Sequence, residues 1–171
     1  MLQLLDNYLQ LGLDWLCVPG LIFAGLGAVY TAFLFNQARA RDLWQTPIQS
    51  AIHMLVHAVM AGSVVMMIIA PESSQWMANI LFWGIVANIV IMAKEILLPH
   101  DTPDTKKAIH LMTKGYYSKY FWAGIVMGSL IPLVVLNAFP SMSLIAGSLA
   151  LVGIYLTEFV RIRVPQMIPL S

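Results

Sequence analysis

The sequence predicts an all-α protein that crosses a membrane about five times. Hydrophobic residues make up 60% of the 171 positions and charged residues only 10%, whereas soluble domains carry about 25% charged residues. Five stretches stay apolar for about 20 residues, the helix length that crosses a bilayer core of about 30 Å. A soluble domain needs a polar coat that this composition cannot supply, so the membrane class follows.

The apolar stretches are separated by short segments that contain proline. Proline lacks the backbone N–H and is tolerated best near helix ends, so the breaks are assigned to Pro47, Pro71, Pro99 and Pro140. Inside the predicted helices, Pro19 and Pro132 predict kinks in the first and fourth. The five predicted spans cover, in order, residues 13–36, 48–70, 76–98, 117–139 and 142–160.

These spans suggest a division of the chain at residue 46. Residues 1–46 are predicted to form an N-terminal amphipathic segment and the first transmembrane helix, and residues 47–171 a four-helix transmembrane bundle. The one sizeable loop, at 99–116, begins with Asp101 and Asp104 and continues with basic residues. This pattern predicts a short helix on the cytoplasmic surface, which Thr105 could cap.

Basic residues predict the orientation. When the connections are assigned alternately to the two sides of the membrane, the N-terminal side receives Asp6 and Glu72 but no Lys or Arg. Cytoplasmic loops carry the excess of Lys and Arg. We therefore expect a bacterial inner-membrane protein with its N-terminus outside and its C-terminus in the cytoplasm. The basic residues on the cytoplasmic side are Arg39, Arg41, Lys94, Lys106, Lys107, Lys114, Lys119, Arg161 and Arg163.

Charge and cysteine content exclude several classes of function. A net charge of +1 without a basic stripe argues against nucleic acid as a partner. The single cysteine, Cys17, excludes a disulfide or an iron–sulfur cluster held within the chain. The connections are too short to form a catalytic domain, so any soluble chemistry has to come from another chain.

Ionisable side chains at membrane depth are costly and are therefore functional candidates. His53 and His57 are four residues apart and share one face of the second helix. Glu95 lies at the end of the third helix, and Glu158 and Arg161 lie three apart on the fifth. Each could simply make a local ion pair or hydrogen bond. Their grouping toward the same half of the bilayer favours a proton path.

The two histidines admit four interpretations. As haem ligands they would have to face each other across one iron from different helices. As metal ligands their spacing is suitable, but no acidic residue nearby in the sequence completes a set. Because histidine changes charge near neutral pH, they could relay protons or hydrogen-bond a quinone. They could also simply bond to neighbouring helices. The residues alone leave these interpretations open.

Three segments resemble one known family. Residues 30–34 (YTAFL), followed by 41–47 (RDLWQTP), resemble the "YTGFLL…FWxxP" signature of the NrfD-like, or polysulfide reductase membrane-subunit, family. Residues 112–133, with MTKGY, FWAG and the later Gly128 and Pro132, are similar to its loop and the helix after it. Residues 153–171 are similar to its C-terminal helix and tail. The matches cover nearly the whole chain, in order, and membrane subunits of alternative complex III are similar too.

The resemblance implies a fold and a set of partners. Such proteins usually have eight helices in two four-helix bundles, and this chain would match the last five. Either the chain is a fragment, or a second chain supplies the first three helices. The family's members work with an iron–sulfur subunit and a catalytic or cytochrome subunit. By this resemblance the chain is not a complete enzyme by itself.

The resemblance also implies a function. Members bind a quinone, menaquinone or ubiquinone, without haem, and some relatives are thought to conduct protons. Their quinone pocket lies mainly in the first bundle on the outer side, which makes Asp14 and Tyr30 the pocket candidates here. The other bundle would hold the proton path. A b-type cytochrome anchor and half of a small transporter remain as alternative functions.

Overall fold

The computed structural model describes residues 14–36, 47–97 and 103–168. Within these ranges the chain is almost entirely helical and contains no strand. A π-helical segment, Val126–Leu130, joins α5 to α6 without a break, and 3-10 turns at Asp14–Leu16, Pro71–Ser73 and Pro140–Met142 precede α1, α3 and α7. The helices are α1 (Cys17–Asn36), α2 (Pro47–Ile69), α3 (Ser74–Leu97), α4 (Pro103–Thr113), α5 (Ser118–Ile125), α6 (Ile131–Ala138) and α7 (Ser143–Gln166).

Four helical segments of the described chain are long and apolar enough to cross a membrane. They are Ile48–Ile69, Pro71–Leu97, Ser118–Ala138 and Pro140–Gln166. A shorter apolar helix, Cys17–Tyr30, precedes them as part of α1. The predicted all-α polytopic fold is therefore confirmed. The predicted division at residue 46 stays a prediction, because residues 37–46 lie outside the described ranges.

The four long segments form a bundle in which α7 packs against α2, α3 and the α5–α6 rod, while α1 packs on α2. Two apolar layers fill it. The first contains Met60 and Val64 of α2, Leu81 and Ile85 of α3, and Ala150 of α7. The second lies nearer α4. Since the lipid covers the outside of the bundle, the apolar residues there stay exposed without an aqueous penalty.

The second apolar layer joins α4 to the bundle. Its members are Met92, Ala108, Met112, Phe121, Val160 and Val164. The short surface helix predicted for the loop is present as α4, with a buried apolar side and the exposed residues Lys106 and Lys107. Thr105 is not its cap, because the helix begins two residues earlier, at Pro103, and Thr105 is buried within the first turn.

Glycines bring α7 into backbone contact with the α5–α6 rod. A Cβ atom added at Gly153 would lie 2.0 Å from the Cα atom of Gly128, and one added at Gly124 would lie 2.8 Å from the Cγ2 atom of Thr157. Gly124 and Gly128 have the small-xxx-small spacing that allows such an approach. The close contact fixes which residues of α7 point toward α2 and α3.

The prolines inside the predicted spans behave differently from each other. Pro132 is the second residue of α6, two positions after the end of the π-helical segment Val126–Leu130. A proline ring clashes with the carbonyl four residues earlier, and an irregular turn accommodates it. Pro19 lies in the first turn of α1. No intrahelical bond needs its missing N–H there, so the predicted kink at that position has no cause.

The backbone contact predicts a position-specific effect of one methyl group. We expect Gly153→Ala to lower the free energy of unfolding by about 1–3 kcal/mol, since the new Cβ overpacks the interface. Gly62→Ala is the matched control, because nothing lies within 4 Å of a Cβ there and alanine favours the helix by about 1 kcal/mol over glycine. Thermal midpoints of the detergent-solubilised protein measure both. Equal midpoints for the two variants would contradict the assigned helix contact.

Candidate functional site: a buried polar cluster on three helices

Helical spacing places three pairs of polar side chains on inward faces of the bundle. His53 and His57 are four apart on α2, Asn88 and Glu95 are seven apart on α3, and Glu158 and Arg161 are three apart on α7. Residues at these spacings share a helix face. Because α2, α3 and α7 pack against one another, the three pairs meet. These six residues are called the polar cluster below.

Asn88 joins the two histidines. Its side-chain oxygen, Oδ1, lies 2.8 Å from Nε2 of His53 and 3.1 Å from Nε2 of His57. The two imidazole rings are 4.3 Å apart between centroids and tilted by 53°. All three residues are buried, with 1% of His53, 7% of His57 and 3% of Asn88 exposed. The side-chain amide of Asn88 on α3 therefore connects the imidazole rings of His53 and His57 on α2.

Arg161 closes the cluster into a ring of contacts. Its Nη2 atom lies 3.2 Å from a carboxylate oxygen of Glu95, and its Nη1 atom lies 3.3 Å from Oε1 of Glu158. Nη1 also contacts Nδ1 of His53. On the other side, Nδ1 of His57 lies 3.3 Å from Oε1 of Glu158. One guanidinium thus contacts groups on all three helices.

The cluster extends from one end of the bundle toward its middle. At a rise of about 1.5 Å per residue, Glu95 lies about 3 Å from the end of α3, whereas Asn88, His57 and Glu158 lie about 12–15 Å from the ends of their helices. Half of a bilayer core is about 15 Å. The apolar layer that contains Met60 and Ile85 lies beyond the inner end of the polar cluster. The polar contacts therefore reach from an interface to about the midplane.

The ionisable side chains of this cluster are largely buried. The side chains of Arg161, Glu95, His57 and Glu158 are 5%, 12%, 8% and 17% exposed. An ionised group at this depth is stable only when it is paired and hydrogen-bonded. Arg161 lies between two carboxylates and supplies that pairing for both.

The geometry opposes a metal ion at this cluster and a haem held between His53 and His57. Donor atoms of His53, His57 and Glu158 all lie within 4.8 Å of one another, which is close enough for a cation. The guanidinium of Arg161 already contacts His53 and Glu158, so a metal ion would have to displace a positive charge. His53 and His57 lie side by side on one helix and cannot bind opposite faces of one haem iron.

The two residues predicted to bind quinone lie apart from this cluster. Asp14 belongs to the 3-10 turn before α1, and Tyr30 lies on α1 with 62% of its surface exposed. They are separated by about 24 Å along the helix axis, at about 1.5 Å per residue. Among the described residues, no hydrogen bond links Tyr30 to the polar cluster.

Asn88 is not among the residues predicted above for the proton path. In the sequence it is one of the asparagines inside the predicted spans, with Asn79 and Asn137. The available signal was its spacing: Asn88 precedes Glu95 by two helical turns and shares its face. Neither residue indicates by itself that the amide contacts both histidines of another helix.

Comparison with known proteins gives one match. The family model described as "Polysulphide reductase, NrfD" matches residues 3–169. No curated protein and no solved structure matches the chain. The family match spans all the described helices and includes the polar cluster. The chain therefore belongs to the NrfD family of polysulphide reductase membrane subunits, which serve quinone-linked oxidoreductases together with iron–sulfur and catalytic subunits.

Proposed function

We propose that this chain is the haem-free membrane subunit through which a respiratory oxidoreductase complex exchanges electrons with a quinone, and that its polar cluster conducts protons. The proposal of proton conduction rests on the continuous set of contacts from Glu95 through Arg161 to Glu158 and His57. Groups that exchange protons have to lie within hydrogen-bonding distance or one water apart. The guanidinium of Arg161 keeps its protons, so it would hold the two carboxylates in place while a water molecule carries the proton between Glu95 and Glu158. His57 then lies within direct reach of Glu158.

The position of Glu95 supports an entry point for protons at one end of the bundle. Glu95 lies two residues before the end of α3, and its carboxylate contacts Arg161. The cavity of about 10 Å³ beside it has an apolar wall and offers a water molecule no hydrogen-bond partner. We infer that protons enter at this end of the bundle, at Glu95 itself.

We infer that this end faces the cytoplasm. The turns Pro71–Ser73 and Pro140–Met142 lie together at the opposite end and contain Glu72 but no Lys or Arg. The α4 end carries the described lysines, among them Lys106, Lys107 and Lys114. Positive residues favour the cytoplasmic side of a membrane. The proposed path would then connect the cytoplasm to the middle of a bacterial inner membrane.

Labelling of introduced cysteines tests this orientation. In a Cys17→Ser background, we expect Glu72→Cys to react with a membrane-impermeant maleimide in intact cells, because Glu72 is exposed at the outer end. Lys106→Cys, exposed on α4, should react only after permeabilisation. The reverse pattern would place the cluster's entry on the outer side and contradict the proposed direction.

Quinone binding is proposed along α1, with Asp14 at its outer end and Tyr30 about 24 Å deeper as two separate hydrogen-bonding candidates, and with the iron–sulfur partner docked nearby. The support is the family membership, together with the exposed position of the Tyr30 side chain. An exposed phenol on a membrane helix has room for a ligand or a neighbouring chain on that face. Asp14 belongs to the turn before α1, which under the proposed orientation is the outer end of that helix.

Kinetic measurements on the purified complex test the quinone site. Loss of one hydrogen bond is worth about 0.5–1.5 kcal/mol, so we expect Tyr30→Phe and Asp14→Asn each to raise the KM for quinol roughly three- to tenfold. Tyr155→Phe is the matched control, since Tyr155 is a similarly exposed tyrosine on α7, at 69%. Unchanged KM values in both site variants would remove Asp14 and Tyr30 from the pocket.

Neutral replacements of the two carboxylates test the proton path. Because a positioned proton-transfer group contributes about 10²–10⁴-fold to a rate, we expect Glu95→Gln and Glu158→Gln to slow proton-coupled quinol turnover at least about tenfold, with the KM for quinol unchanged. Glu72→Gln, in the exposed turn before α3, is the control and should have no effect. Glu95→Asp and Glu158→Asp retain both the negative charge and a group that can carry a proton, but they shorten the side chain. Comparing them with the glutamine variants shows whether the loss of turnover follows the loss of the carboxyl group or the loss of the ion-pair geometry. Full turnover in both glutamine variants would leave these residues with a structural role.

A further inference from the structure

The direction of each hydrogen bond in the polar cluster can be worked out from Arg161. A guanidinium donates hydrogen bonds and never accepts them. Since Nη1 of Arg161 contacts Nδ1 of His53, that ring nitrogen has to be the acceptor. A neutral imidazole carries one proton, so the proton of His53 lies on Nε2. The tautomer of His53 is thereby determined by its neighbour on α7.

The tautomer of His53 in turn determines the proton on His57. The N–H of Nε2 of His53 donates to Oδ1 of Asn88 at 2.8 Å, which requires the amide oxygen to face α2. The same oxygen lies 3.1 Å from Nε2 of His57. An amide oxygen only accepts but has two lone pairs. His57 therefore also donates from Nε2 and carries a proton there.

These assignments leave one contact that needs an additional proton. Nδ1 of His57 lies 3.3 Å from Oε1 of Glu158. If His57 were neutral, with its proton on Nε2, and Glu158 were ionised, two acceptors would face each other in a buried site. A proton on either atom turns this repulsion into a hydrogen bond. The pair is then either imidazolium with carboxylate or neutral imidazole with carboxylic acid.

We propose that His57 and Glu158 together hold one resident proton, shared between Nδ1 and Oε1, at the inner end of the polar cluster. Its transfer breaks the N–H bond of an imidazolium and forms the O–H bond of a carboxylic acid, and the reverse step restores the ion pair. Neither step changes the net charge. The presence of the proton follows from the hydrogen-bond directions; its identity as the proton conducted rests on the proposed function.

The groups that face the pair come from three helices. His53 lies beside His57 on α2, Asn88 faces both rings from α3, and Arg161 contacts Glu158 from the same helix. Glu95 reaches the pair through Arg161. Among the described residues, no hydrogen bond or ion pair links Lys94, His110 or Lys119 to it. The described charged groups nearest to the shared proton are therefore Arg161 and, through it, Glu95.

Solid-state NMR of the complex with ¹⁵N-labelled histidine in this chain tests the proposal. We expect one of the four histidines to show either protons on both ring nitrogens or a neutral Nε2–H ring hydrogen-bonded to a protonated carboxyl group. The carbonyl stretch of that carboxyl group is measured by infrared spectroscopy. His110→Gln, on the exposed side of α4, is the control and should leave the signal unchanged.

Glu158→Gln assigns the signal by removing the carboxylate. Oε1 of Glu158 makes both contacts, so the glutamine amide can place there either its NH₂ group, which donates to Nδ1 of His57, or its oxygen, which accepts from Arg161. We expect this variant to lose one bound proton and to show His57 as the neutral Nε2–H form. Wild-type protein with His57 unprotonated at Nδ1 and Glu158 ionised would overturn the proposal.

These measurements distinguish a failure of the resident-proton proposal from a failure of the proposed function. A shared proton together with full turnover in Glu158→Gln would support the resident proton and reject the conducting path. Slowed turnover in Glu158→Gln without a shared proton in the wild type would reject the resident proton and keep the path.

Discussion

The buried guanidinium of Arg161 is the constraint on which the arrangement of the bundle depends. A positive charge at this depth requires partners that stay in place, and Arg161 obtains them from Glu95 on α3, Glu158 on its own helix and His53 on α2. Removing one partner of such a buried pair typically costs about 3–5 kcal/mol. The rotation of all three helices is thus restricted by one side chain.

Close packing on a neighbouring side of α7 makes these contacts possible. The backbone of Gly153 meets that of Gly128, so α7 is held against the α5–α6 rod while Glu158 and Arg161 reach α2 and α3. Apolar residues lie beyond the inner end of the polar cluster, around Met60, and beside it, around Met92. Glycine contact, apolar layers and ion pairs therefore support one another.

The cluster connects structure to function through hydrogen-bond direction. Arg161 can only donate, and this determines first the tautomer of His53, then the orientation of the Asn88 amide, and finally the proton on Nε2 of His57. The only described pair left with a proton to share by these directions is His57 with Glu158. In the NrfD family, where the partner subunits carry the redox chemistry, such a cluster would give the membrane subunit a part in coupling proton movement to electron transfer.

The sequence by itself determined the membrane class, the four long spans and the helix of the loop, because hydrophobic runs and breaking prolines act locally. It also identified His53, His57, Glu95, Glu158 and Arg161 as candidates, since charge inside a predicted span is visible without a structure. Only the tertiary structure decided that these residues meet, that Asn88 joins them, and that Asp14 and Tyr30 lie elsewhere. These facts depend on the relative rotation and depth of helices up to about a hundred residues apart, which packing such as the Gly128–Gly153 contact determines and local sequence does not record.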